Sequence, residues 1–126
     1  MDIFLKRAYD KAAMTDGYRI LVDRLWPRGV KKSDLRLHSW AKELAPSTAL
    51  RKWFAHHVTR WPGFRIRYRH ELATPRVRQL IRGLIAEAHA APAITLIYAA
   101  RDTEHNEAVV LREKIRRFTI RARRRV

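Results

Sequence analysis

Cysteine is absent from this 126-residue chain. Disulfides, thiolate metal ligands and a cysteine nucleophile are therefore excluded within it. Glycine is scarce, with four residues, and no glycine-rich phosphate loop is present. His-Glu-x-x-His and Gly-x-Ser-x-Gly are missing as well. The six histidines lack ligand spacing, and His56 and His57 are adjacent, so they diverge on a helix rather than share a metal. No apolar run approaches membrane-spanning length, and Ile3-Phe4-Leu5 is too short for a signal peptide. A soluble cytoplasmic protein without metal, cofactor or membrane partner is the expectation.

Acidic residues are few: 12 Asp and Glu stand against 28 Lys and Arg, a net charge of +16. Such a balance attracts polyanions and phosphorylated small molecules; it bears on partners and not on fold. Positive charge thickens toward the end, where Arg121, Arg123, Arg124 and Arg125 read as a basic tail over residues 119–126. A frayed terminus and a non-specific nucleic-acid contact both account for it. The length suits one domain with one core.

What is present organises around Tyr18 to Gly29. Ile20, Leu21 and Val22 form a continuous apolar run, the pattern of a strand buried on both faces. Asp23, Arg24, Trp26, Pro27, Arg28 and Gly29 follow at once. Pro27 cannot donate to a sheet ladder, so the strand ends there with polar residues at its carboxyl end. Ile94 to Ala99 is a second apolar run, and it leads to Arg101, Asp102, His105 and Asn106. Ile3-Phe4-Leu5 is a short first strand, and another is expected near Ser39–Leu44.

Between these strands the pattern turns helical. Ser47 is an N-cap for a helix carrying Leu50, Trp53 and Phe54. Trp61, Phe64, Tyr68 and Leu72 mark a second helix from about Arg60. Thr74-Pro75 opens a third, in which Val77, Leu80, Ile81, Leu84, Ile85 and Ala88 recur at helical spacing; Val77, Leu80, Ile81, Leu84 and Ile85 are expected to be largely buried. A last helix is expected to open at Ala100 to Thr103. The fold class is therefore α/β: a small, mainly parallel sheet covered by helices in a single domain over residues 1–126.

Parallel strands bring their carboxyl ends to one edge, where open α/β sheets bind ligands. Asp23 is the candidate acid–base or orienting group there. Arg24, Arg28 and Arg101 are candidate clamps for a phosphate- or carboxylate-bearing small molecule, because a guanidinium can make two parallel hydrogen bonds. Asn106 and Ser47 are candidate hydrogen-bonding groups. Structural ion pairs, Arg24 with Asp102 and Arg101 with Asp23, predict the same clustering. Oligomeric state is left open.

The run Asp16-Gly-Tyr-Arg-Ile-Leu-Val-Asp-Arg-Leu-Trp-Pro-Arg-Gly29 resembles the signature of the YeaO-like proteins, in the superfamily called domain of unknown function 488. Trp40 to Ser47, Leu50 to Phe54, Leu96 to Asp102 and Glu104-His-Asn106 are similar to that family too. The resemblance spans nearly the whole chain. It implies a compact α/β domain of about this length and brings no established activity, substrate or cofactor. Two positions depart from the family pattern: His57 stands where Asp is usual, and Arg101 where Lys is frequent.

Overall fold

The computed structural model describes residues 1–124, with side chains as far as Thr119. Four strands form one sheet: β1 (Asp2–Arg7), β2 (Tyr18–Leu21), β3 (Ser39–Trp40) and β4 (Ala93–Tyr98). Their order is β1-β4-β2-β3, and every neighbouring pair is parallel. Five α-helices accompany them among the described residues: α1 (Lys32–Leu35), α2 (Thr48–Phe54), α3 (Trp61–Glu71), α4 (Pro75–Ala88) and α5 (Glu107–Arg124). The chain is thus an α/β domain built on an all-parallel sheet. Residues 125–126, and the side chains beyond Thr119, lie outside the described residues, and with them the question of a frayed tail.

The central strands, β2 and β4, are those that carry the nearly continuous apolar runs. All six residues of β4 are buried. In β2, Arg19, Ile20 and Leu21 are buried and Val22 continues the ladder, donating its N–H to Ile97 O at 3.0 Å. Side chains alternate across the sheet. Ile20, Val22, Ile94, Leu96 and Tyr98 enter the larger core, shared with residues of α2 to α5. Leu21 and Ile97 enter a smaller core on the opposite face, with Leu35 and Ala8. Trp26 and Trp40 pack against this second core and meet edge-on, with centroids 5.4 Å apart. The strand expected near Ser39–Leu44 is shorter, because Lys42–Leu44 coils into a 3₁₀ turn straight after Trp40.

The helix starts follow their caps. Ser47 Oγ accepts from Leu50 N at 3.1 Å at the head of α2, and Thr74 Oγ1 accepts from Val77 N at 3.3 Å at the head of α4. Aromatic rings of α2 and α3 interlock beneath the sheet: Phe54 stacks on Phe64, with centroids 4.5 Å apart, and Phe64 stacks on Trp61. On α4 the apolar stripe is only partly sealed. Val77, Ile81 and Ala88 are buried, whereas Leu80, Leu84 and Ile85 are partly buried against the same core. A stripe this wide exceeds what one packing contact covers. Ile81→Ala is accordingly expected to cost about 2–5 kcal/mol in denaturant unfolding, and Leu80→Ala clearly less. Equal losses would contradict this placement.

The last helix begins later than its sequence suggests. Ala100 to Asn106 is a loop, and α5 starts at Glu107. Asp102 holds that loop: its Oδ1 accepts from Glu104 N at 2.9 Å and His105 N at 3.0 Å, and His105 Nδ1 lies 2.9 Å from its Oδ2. An aspartate that bonds the backbone two and three residues on competes with helix formation, which explains the delay. No described helix is long and apolar enough to cross a membrane.

Candidate functional site

The carboxyl ends of the strands open into a cleft of about 770 Å³. β2 delivers Asp23, Arg24 and Arg28 to it, and β4 delivers Ala99 to Asp102. The amino end of α5 brings Asn106 and Glu107, while α2 adds Arg51 and Phe54. Of the residues anticipated from sequence, Asp23, Arg24, Arg28, Arg101 and Asn106 all line this one cleft.

Ser47 does not. It lines a separate groove between α2 and α3, where its hydroxyl donates to Glu71 Oε2 at 2.6 Å and its N–H donates to Glu71 Oε1 at 2.8 Å. The hydroxyl is occupied in capping α2 and gripping α3. Asn106 reaches the cleft but is likewise engaged by structure. Its Oδ1 accepts from Ala108 N at 3.0 Å and Val109 N at 3.3 Å, and its Nδ2 donates to Asp102 O at 2.9 Å. Asn106 is therefore the N-cap of α5.

The arginines differ in what holds them. Arg24 Nη2 donates to Ala45 O at 3.4 Å and Pro46 O at 3.3 Å, both long bonds, and its buried Nε has no partner. Arg28, Arg51 and Arg101 have no ion pair or side-chain hydrogen bond among the described residues, and Arg28 and Arg101 are exposed. The alternative ion pairs do not form: Asp102 pairs with His105, and Asp23 is engaged elsewhere. The Glu104 N–H foremost, together with the His105 ring and N–H, holds the Asp102 carboxyl below the usual carboxylate range against the opposing effect of desolvation.

Asp23 Oδ2 accepts from Ala99 N at 2.9 Å, tying the ends of β2 and β4 together, and Asp23 O accepts from Trp40 Nε1 at 2.7 Å. Its carboxyl also meets that of Glu107 in a hydrogen bond. Burial first, and then the hydrogen bond and charge of Asp23, push the Glu107 carboxyl well above its ordinary value. Below them lies Tyr68, fully buried, whose hydroxyl donates to Leu44 O at 2.5 Å. Burial foremost, with Glu107, Glu71 and Asp23 adding to it, raises the Tyr68 phenol well above its ordinary value.

Glu107 and Arg51 escaped the sequence reading. With the last helix placed from Ala100, Glu107 fell inside it, away from the strand end. The signal was present in Asn106-Glu107, an N-cap residue followed by an acid in the first turn. Arg51 carries no local signal; it reaches the cleft only through the tertiary placement of α2.

The chain matches, over residues 2–124, the family model described as the inactive DUF488-N3 subclade. It is 49% identical over 116 residues to the uncharacterized protein YeaO of Escherichia coli (strain K12), covering 92% of this chain and 98% of that one. It is 36% identical over 105 residues to the uncharacterized protein Rv3073c of Mycobacterium tuberculosis (strain ATCC 25618 / H37Rv), covering 83% and 86% of the two chains. No solved structure matches it. With a family match over nearly its whole length and a relative sharing about half its residues, the chain belongs to the DUF488 family, as a YeaO-like member of its inactive N3 subclade.

Proposed function

We propose that the cleft binds a small molecule through a phosphate or carboxylate group, gripped by Arg28, Arg51 and Arg101 with Arg24 behind them. One observation carries this reading: three guanidinium groups line a single cleft and none has a partner among the described residues. Unpaired guanidiniums that converge on a concavity are suited to a bidentate grip on an oxyanion. The cleft volume falls within the usual range for small-molecule sites, and Phe54, Phe64 and Trp26 give it apolar walls. Asp23, anchored by the Ala99 N–H, acts as an orienting group. The word "inactive" in the subclade's description favours binding without turnover.

Calorimetric titration with inorganic phosphate tests the reading. Arg28→Lys keeps the charge and loses the fork, so its affinity is expected to fall roughly tenfold. Equal affinity in the two proteins would remove Arg28 from the clamp.

A second reading, non-specific nucleic-acid binding, rests on the net charge of +16 and on Arg121, Arg123, Arg124 and Arg125. Affinity for DNA should then fall steeply with salt and vary little with sequence. Removing residues 121–126 should flatten the salt slope and leave phosphate binding in the cleft unchanged. A truncated chain with an undiminished salt slope would count against the tail.

A further inference from the structure

The cleft holds charge of both signs. Beside the unpartnered arginines stand Asp23 and Glu107, whose carboxyls are hydrogen-bonded to each other. A site meant only to attract anions would gain nothing from a negative charge among its walls. One of the pair's acceptor positions is filled by the Ala99 N–H at 2.9 Å and another by the bond between the two acids. A carboxylate offers about four lone-pair positions, so the pair, which lines the cleft, keeps acceptor capacity. An oxyanion seated against it avoids repulsion only if it brings a proton.

We infer that the cleft selects a protonated oxyanion, a phosphate group still carrying an O–H, over anions of similar shape that carry none. This rests on the anion-binding reading above and adds the selectivity of that same site. The phosphate O–H would donate to the Asp23–Glu107 pair while its remaining oxygens accept from Arg28, Arg51 and Arg101. Sulfate is close to phosphate in size and geometry but has no proton to give. Its oxygens would face the lone pairs of the carboxylate, and that repulsion is the discriminating element. Specificity of this kind comes from an acceptor left unpaired by the wrong ligand, which discriminates more sharply than shape does.

Competition titrations with inorganic phosphate, sulfate, phenyl phosphate and phenyl sulfate decide the matter. They are run at about pH 5.5, below the second ionisation of a phosphate monoester near ~6. The wild-type chain is expected to bind phosphate at least about tenfold more tightly than sulfate. A matching preference for phenyl phosphate over phenyl sulfate, with tighter binding of the phenyl pair, identifies a monoester as the ligand; no gain from the phenyl group identifies the free anion. In the double variant Asp23→Asn, Glu107→Gln, shape is kept and the negative charge is gone. Its preference should shrink to within about twofold, through a gain in sulfate affinity. Glu107→Gln alone still donates to the Asp23 carboxyl and should keep the preference, which guards against a double variant that fails to fold. Sulfate bound as tightly as phosphate by the wild type, or a double variant that still discriminates, would overturn the inference and leave the anion site standing. Binding of none of the four probes would overturn the anion site itself and the selectivity with it.

Discussion

Gly17→Ala is expected to cost roughly 3–5 kcal/mol, the sum of a strained backbone and an overpacked contact. Gly17 sits at φ 65°, ψ −128°, a region that residues with a Cβ rarely enter. It also lies against β4. A Cβ there would overlap the Ala93 carbonyl oxygen and stand 2.9 Å from Ala93 C and N. Those are backbone atoms of a fully buried strand, so they cannot swing aside as a flexible side chain would. The two effects add because relieving one does not relieve the other. Gly17 begins the approach of β2 to β4, where Tyr18 pairs with Ile94, so any shift propagates into the central ladder. Urea unfolding of the two proteins measures the loss directly. A variant within about 1 kcal/mol of wild type would mean that this turn relaxes freely.

The second large effect is expected at Asp16, which is buried beside Gly17. Its Oδ1 pairs with Lys6 Nζ at 3.0 Å and its Oδ2 with Arg19 Nη1 at 2.5 Å. Arg19 is itself buried, 3% exposed, and its Nη2 has no partner. Asp16→Asn removes the counter-charge and leaves a guanidinium stranded in the sheet. Breaking one partner of a buried pair costs about 3–5 kcal/mol, and that loss is expected at neutral pH.

The pH dependence follows from the carboxyl's environment. Burial pushes the Asp16 pKa up, but the Ala13 N–H, Lys6 and Arg19 together outweigh it and hold the group below its ordinary value. A depressed folded-state pKa stabilises the fold above the unfolded value of about 3.9. That contribution is lost as pH falls through the folded pKa. Wild type and Asp16→Asn should therefore converge in stability below about pH 4. A gap that stays constant from neutral to acid pH would show that the carboxylate's charge is not what matters there.

Asp16 and Gly17 lie before β2, and the cleft lies after it. The two ends of one strand thus divide the labour. At the amino end, Asp16 and Arg19 pair with each other, and Thr95 Oγ1, which donates to Asp16 O at 2.6 Å, ties that end of β2 to β4. At the carboxyl end, Arg28 and Arg101 are left without partners. In this arginine-rich chain, exposure and partners distinguish a structural guanidinium from one left open to the cleft. Residue type does not.

The apolar runs Ile20–Val22 and Ile94–Tyr98 were legible as buried strands, because a strand covered on both faces has no room for polar alternation. Ser47 and Thr74-Pro75 announced their helices, because capping is a contact across three residues and leaves a local trace. These features are fixed by neighbours in the chain, and the sequence by itself determined them. It also determined that Asp23, Arg24, Arg28 and Arg101 follow strands, which is enough to bring them to one edge once the strands are parallel. The order β1-β4-β2-β3 was decided only by the tertiary structure, since a buried strand does not name its neighbours. The same holds for the meeting of Asp23 with Glu107, the arrival of Arg51, and the diversion of Ser47 to Glu71. Each of these depends on how α2, α3 and α5 pack over the sheet. Packing free energy is summed over many apolar contacts between distant segments, and no single stretch of sequence contains both partners.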